Sequence, residues 1–164
     1  MSLRAVANAV GVSPSAAYHH FPDKDAVLVA IGDRGSELFD HCMVEAAAAV
    51  RGDSDAAAVK RFTALGRAYI DFAQTEPHLF RHMFGALCSG QSPITTGQSA
   101  AFDTLLGALD DLVQRDLLRP DVREGLEIVA WSAVHGFAVL AAEGLMPVEL
   151  RDDLLASLRR LVIR

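Results

Sequence analysis

The sequence is short of most features that would point to a particular chemistry. Its 164 residues include two cysteines, Cys42 and Cys88, with no metal-type spacing between them. Each lies in a helical, mostly apolar context, so both read as reduced core thiols of a cytoplasmic protein. No apolar run is long enough to cross a bilayer, because charges or glycines interrupt each one, and no secretory signal precedes the first helical stretch. Sustained alternation of β-branched residues and Asn-Gly hairpin turns are also missing. Their absence excludes a sheet, and with it a glycine-rich phosphate loop placed after a strand. No Ser–His–acid arrangement emerges from the spacing. His78 and His82 stand four residues apart, a separation that can hold a metal, yet no Glu or Cys accompanies them and Arg81 is adjacent. The expectation is therefore a protein that is not an enzyme and carries no metal and no cofactor. Positive charge is not in excess either. The formal net charge of −6 argues against a protein that coats nucleic acid non-specifically.

What is present is helix. The chain is 51% hydrophobic with a mean hydropathy of +0.24, and its apolar residues recur at helical spacing throughout. Helices are expected over about 2–9, 13–20, 24–50, 54–75, 77–84, 98–115, 122–144 and 147–163, some nine in all with an extra turn in the Ser-, Gly-, Pro- and Thr-containing connection 85–97. Gly32 and Gly35 fall inside the third, where each costs about 1 kcal/mol and a local bend is plausible. In that helix Val27, Leu28, Ile31, Leu38, Phe39, Cys42 and Met43 fall broadly on one face. Pro77 breaks the fourth and starts the fifth. There is no internal repeat and no low-complexity linker.

The first 24 residues hold the most specific local pattern. Ser2 is placed to cap a short helix whose apolar face is Leu3, Val6, Ala7 and Val10. Gly11 ends it, since the stop needs a residue that tolerates positive φ. Val12 is expected to be the buried bridge of the turn. Ser13 caps a second helix, with Pro14 at its first position. This is the layout of a helix-turn-helix, whose second helix enters the DNA major groove. Arg4, Lys24, His19 and His20 face only Asp23 there, whereas the acid excess lies further on, from Asp33 to the Asp152-Asp153 pair. On the second helix, Ser15, Ala16 and His19 lie away from the Val12 and Phe21 anchors and are candidates for base edges. Without Arg, Asn or Gln for a bidentate base contact, discrimination would lean on methyl contacts, His19 and DNA shape. Ser2, Ser13, Tyr18 and Lys24 are better placed for phosphate. The helix that starts at Lys24 also offers its N-terminal N–H groups to a phosphate. Packing inside the small domain is the other reading of Tyr18 and the preferred one for His20.

Ala7, Gly11-Val12-Ser13, Tyr18, His20-Phe21 and Lys24 stand at the spacing A-x-x-x-G-V-S-x-x-x-x-Y-x-H-F-x-x-K. In this the chain resembles the TetR family of transcriptional regulators. A second set of residues, Ala68 to Ala73, Pro77, Leu79 to Phe84 and Trp131 to Gly136, resembles a C-terminal class of that family named for its Trp-His-Gly element. The resemblance implies an all-α, Ω-shaped homodimer. Residues 1–30 would form the helix-turn-helix domain and residues 31–164 an effector-binding and dimerisation domain. It also implies a helix ahead of the point where this sequence starts, because Ser2 coincides with the start of the family's second helix. The head is therefore expected to be incomplete.

On this reading the partners are a double-stranded DNA operator, a second copy of the chain and a small apolar or amphipathic effector. The chain would be a repressor that the effector releases from its operator. The competing class is a helical ligand-binding or scaffolding dimer without DNA activity. Aromatics and methionines of the middle helices are candidate pocket residues: Phe39, Met43, Phe62, Tyr69, Phe72, Phe80, Met83, Phe84, Phe102 and Trp131, with His135 one turn after Trp131. Ordinary core packing is the alternative for each, and for His135 a satisfied core histidine. Gly136 suggests a close helix approach. Val129, Ala133, Phe137, Leu140 and Ala141 with Leu154, Leu158, Leu161 and Val162 offer more apolar surface than one bundle needs, which points to a dimer face; closure of the monomer core is the other reading.

Overall fold

The computed structural model describes residues 2–85, 99–119 and 121–164. The core thiol expected at Cys88 and most of the connection 85–97 lie outside those residues. Among the described residues the chain is all-α, with eight α-helices, one 3-10 turn and no β-strand. In order they are α1 (Leu3–Ala9), α2 (Pro14–His20), α3 (Lys24–Ala48), α4 (Asp55–Thr75), α5 (Pro77–Phe84), α6 (Ala100–Gln114), α7 (Leu126–Ala142), the 3-10 turn Val148–Leu150, and α8 (Arg151–Val162).

The centre of the body is α4, which packs on α3, α5, α6, α7 and α8. Its inward residues feed two apolar clusters. The first joins Phe39 and Met43 of α3 with Leu65, Tyr69, Ile70 and Phe72 of α4, Phe80 and Met83 of α5, Phe137 of α7 and Leu155 of α8. The second joins Phe62 with Leu109, Leu112, Leu118, Leu126, Leu158 and Val162. The C-terminus closes this second end: Arg119 N donates to Val162 O at 3.0 Å and Arg164 N donates to Leu117 O at 3.0 Å.

Several boundaries and faces differ from the sequence reading. The seventh helix starts at Leu126, not Val122, because Gly125 takes a left-handed φ of 71° immediately before it and the residues ahead form turns. The helix expected over 147–163 is divided into the 3-10 turn and α8. Ser54 caps α4, and Asp53 pairs with Arg115. Along α3 the buried residues are Gly32, Gly35, Phe39 and Met43, while Ile31 and Leu38 are exposed. The glycines thus belong to the packed face. A Cβ on Gly35 would lie 2.7 Å from Met83 Sδ and 2.8 Å from Leu79 Cδ1, so its lack of a side chain lets α5 seat against α3. Gly66 does the same for α4 against α8, where a Cβ would come 2.6 Å from Leu155 Cδ2. Gly136, expected to mark a close approach, has nothing within 4 Å of a built Cβ.

Two further ties hold α3 to the body. Asp40 caps α6 from outside: its carboxylate accepts from Ser99 Oγ at 2.9 Å, Ala100 N at 3.0 Å and Ala101 N at 2.9 Å. Three donors on one carboxylate at a helix N-terminus combine hydrogen bonding with the favourable end of the helix dipole. Nearer the N-terminus of α3, His82 Nε2 of α5 donates to Leu28 O at 2.6 Å.

Candidate nucleic-acid interface and ligand cleft

The head is built from local hydrogen bonds. Ser2 Oγ accepts from Ala5 N at 3.2 Å, Ser13 Oγ from Ala16 N at 3.1 Å and Asp23 Oδ1 from Ala26 N at 2.8 Å, so each of the first three helices starts on a side-chain cap. Gly11 ends α1 with φ 76°, and Val12 N donates back to Ala7 O at 3.0 Å. Among residues 2–31 only Leu3 and Ala7 are buried, and α2 buries no residue fully. Val12 is 44% exposed and Val10 68%, so Val12 is not the buried bridge expected of it. No described element covers either valine.

That exposure leaves the surface of α2 open. Ser15, Ala16, Tyr18 and His19 are all exposed, as is Lys24 at the first turn of α3. His20 is exposed as well, its ring edge-on to His19 at 5.5 Å, so it does not pack inside the small domain. Ser2, Ser13 and Pro14 have their helix-starting roles in addition to any contact with DNA. The N-terminus of α3 is less open to a phosphate than expected, because the Asp23 carboxylate already takes one of its amides.

In the body, the structure divides the candidate pocket residues. Phe39, Met43, Tyr69, Phe72, Phe80 and Met83 belong to the first cluster and are buried. Their rings fill the interior edge to face, with Phe39 5.1 Å from Tyr69 and 5.2 Å from Phe72. Phe62 belongs to the second cluster, at the other end of α4, and is not part of the same site. Phe102 packs on Trp131 at 5.4 Å. One open space lies beside this core. A cleft of about 160 Å³ between α5 and α7 is lined by Phe80, Arg81, Phe84, Gly85, His135, Val139, Ala142 and Glu143. Only Phe80, Phe84 and His135 of the expected pocket residues line it. Arg81, Val139, Ala142 and Glu143 were missed. Residues 135, 139, 142 and 143 fall on one helix face at i, i+4, i+7 and i+8, a spacing that would have found them.

His135 joins the cleft to the core. Its Nδ1 lies 2.8 Å from Tyr69 Oη, and Trp131 Nε1 donates to the same oxygen at 3.1 Å. Burial raises the Tyr69 pKa and lowers that of His135, so both are neutral near pH 7. One ring nitrogen of His135 is thus satisfied in the core by Tyr69, and the ring also lines the cleft. His78 and His82 have other partners than a metal, since Arg81 lies 3.2 Å from His78 Nδ1 and His82 bonds Leu28 O. Among the described residues no group of three His, Cys, Asp or Glu could hold a metal ion, and no helix is long and apolar enough to cross a membrane.

The proposed dimer face also divides. Phe137, Leu158 and Val162 are buried in the chain's own core, because α7 and α8 turn them toward α4. Val129, Leu140 and Leu161 are exposed at 58%, 38% and 64%, with Ile128, Val139 and Leu150 exposed beside them, while Ala133 and Leu154 are half-buried.

A capped, open second helix behind a glycine turn, carried on a larger helical body, defines a helix-turn-helix regulator. Residues 1–31 match bacterial regulatory proteins of the tetR family, and residues 62–164 match the tetracyclin repressor-like C-terminal domain. The chain belongs to the TetR family, whose members bind DNA and regulate transcription. The Trp131–Gly136 element lies inside the second matched segment. Over its full length the chain is similar to 86% of a protein of unknown function from Rhodococcus sp. RHA1, at 26% identity and a TM-score of 0.79. Over 99% of its length it shares the fold of 85% of a TetR family transcription regulator from Marinobacter aquaeolei VT8, at 20% identity and a TM-score of 0.69. No curated protein matches the sequence.

Proposed function

We propose that the chain is a transcriptional repressor that binds its operator as a homodimer and is released by a small apolar or amphipathic effector. The observation that carries this reading is the open face of α2, where Ser15, Ala16, Tyr18 and His19 stand exposed on a helix whose start is fixed by Ser13 and Pro14. A buried α2 could not enter a groove. The exposed apolar stripes of α7 and α8 are the surface a second copy would cover. Two heads then read half-sites about one DNA turn apart, or a multiple of it.

The path from effector to DNA runs through α5. It lines the cleft with Phe80, Arg81 and Phe84, and it grips α3 with Met83 and Leu79 at Gly35 and with His82 at Leu28 O. A ligand that shifts α5 therefore shifts the start of α3, and α3 leads directly from the head. The effector needs differential affinity for the two arrangements, and no more than that.

Selection of bound duplexes from a random pool with the purified chain tests the reading. The expected result is enrichment of a symmetric site with two half-sites. Retention of no sequence above the starting pool sinks it in favour of a ligand-binding or scaffolding dimer. Light scattering then reads the oligomeric state, with Val129→Asp and Leu161→Asp expected to shift a dimer toward monomer.

A further inference from the structure

The geometry points to a neutral, single-ring-sized ligand with one hydrogen-bond acceptor, held in the α5–α7 cleft by the Nε2–H of His135. This rests on the reading that the body takes a small effector, and it names that effector's class.

The tautomer follows from hydrogen-bond accounting. Trp131 Nε1 is a donor only, so Tyr69 Oη accepts from it. The phenolic proton of Tyr69, a residue only 4% exposed, then needs an acceptor. His135 Nδ1 at 2.8 Å is the acceptor available among the described residues. A histidine that accepts at Nδ1 and is neutral carries its proton on Nε2. No described residue takes that proton, and His135 lines the cleft. Three side chains thus orient one donor, from the indole through the phenol to the imidazole.

The rest of the cleft sets size, shape and charge. Phe80 and Phe84 lie 5.7 and 5.2 Å from the His135 ring, centroid to centroid, and give one wall; Val139 and Ala142 of α7 contribute apolar surface. A volume of about 160 Å³ is close to that of an apolar cavity that takes benzene, about 150 Å³. It is well under the roughly 300 Å³ at which drug-sized pockets begin. The lining charges cancel: Arg81 Nη1 and Glu143 Oε1 pair at 3.3 Å. A carboxylate would have to compete with Glu143 for Arg81, and an ammonium with Arg81 for Glu143. A neutral aromatic or compact aliphatic ketone or aldehyde suits walls, size and donor together.

The test is direct binding to the full chain by calorimetry, with acetophenone, ethylbenzene and benzoate as probes. Acetophenone is expected to bind about tenfold more tightly than ethylbenzene, the effect of one hydrogen bond, and benzoate more weakly than acetophenone. Val139→Trp, on the cleft wall, fills the space while leaving both partners of the Tyr69–His135 hydrogen bond in place, and is expected to abolish binding. His135→Phe keeps the ring and removes the donor, so it should bring acetophenone down to the level of ethylbenzene. Equal affinity for acetophenone and ethylbenzene in the unaltered chain, no binding of either, or unchanged binding in Val139→Trp each overturn the proposal. Operator release is scored separately. Ketone binding that leaves operator binding intact supports the cleft and sinks the effector reading. Operator release by another compound, in a chain that binds no ketone, overturns the cleft proposal and leaves the repressor reading standing.

Discussion

The head and the body of this chain are held together by different physics. Residues 2–31 bury only Leu3 and Ala7, and they rest on three side-chain caps and a glycine turn. The body buries two apolar clusters around α4 and uses glycines to bring helices close. Caps and turns act within a few residues of sequence, while clusters join residues that are dozens apart. The head is consequently a locally specified surface with little packing behind it. The body is a densely packed unit whose stability is shared among many side chains.

The sharpest way to break the contrast is to apply large changes to both parts. Phe80→Ala, at a side chain 1% exposed, should cost about 3–5 kcal/mol in denaturant unfolding. Val12→Ser, at a valine 44% exposed, should change stability by less than about 0.5 kcal/mol. Comparable losses at the two positions would mean that the head has a core of its own. Next comes the tie between the parts. Asp40→Ala removes the acceptor for three donors at the start of α6, and a loss of about 1–2 kcal/mol is expected. The same substitution should also weaken the coupling of α3 to the body, read as faster amide exchange near Phe39 and Met43. Unchanged exchange there would show that Gly35 and His82 suffice to seat α3.

The same division explains what the sequence could tell. Capping serines, Pro14, Gly11 and the Tyr18-to-Lys24 spacing all act locally, so the head was readable residue by residue. The eight helices were readable from periodicity, apart from the start of α7, where Gly125 overrode the apolar run, and the start of α8, where a 3-10 turn precedes it. Which apolar residue meets which was not readable. Phe62 and Phe80 look alike in sequence and lie in different clusters because they sit on opposite ends of α4's contacts. Gly35 and Gly136 also look alike, yet only the first meets a neighbouring helix. The Tyr69–His135 bond joins residues on two helices, and no spacing rule reaches that far. Val12 shows the reverse error: a good local pattern was assigned a burial that only a covering element could supply.

A pH series gives a smaller effect and tests the body alone. Burial lowers the His135 pKa from its ordinary 6.5, so the unfolded chain binds more protons than the folded one below that value. The contribution of this residue to stability is complete above about pH 6.5 and declines as pH falls toward the folded value. His135→Phe should therefore flatten the stability profile between pH 7 and pH 5 relative to the unaltered chain. An identical slope in the two would place the acid sensitivity on other histidines and would contradict a neutral His135.

The smallest effects fall on the head and are read through DNA. Lys24 is exposed at the first turn of α3, and its ammonium lies 3.7 Å from the Asp25 carboxylate, a weak surface pair that leaves it free to reach a phosphate. Lys24→Ala should weaken binding at every sequence alike and lower the slope of log affinity against log salt by about one, because one fewer counterion is released. His19 stands on the open face of α2, so His19→Ala should leave that slope nearly unchanged and alter the ranking of sites by a few-fold. The two substitutions separate positioning from reading. If both weaken all sequences equally, α2 lies against the backbone rather than in the groove, and the head contributes affinity without choosing a site. If His19→Ala alone reorders the sites, one imidazole on a helix with no Arg, Asn or Gln is reading bases, and the rest of the discrimination must come from Ser15, the Ala16 methyl and the shape of the DNA itself.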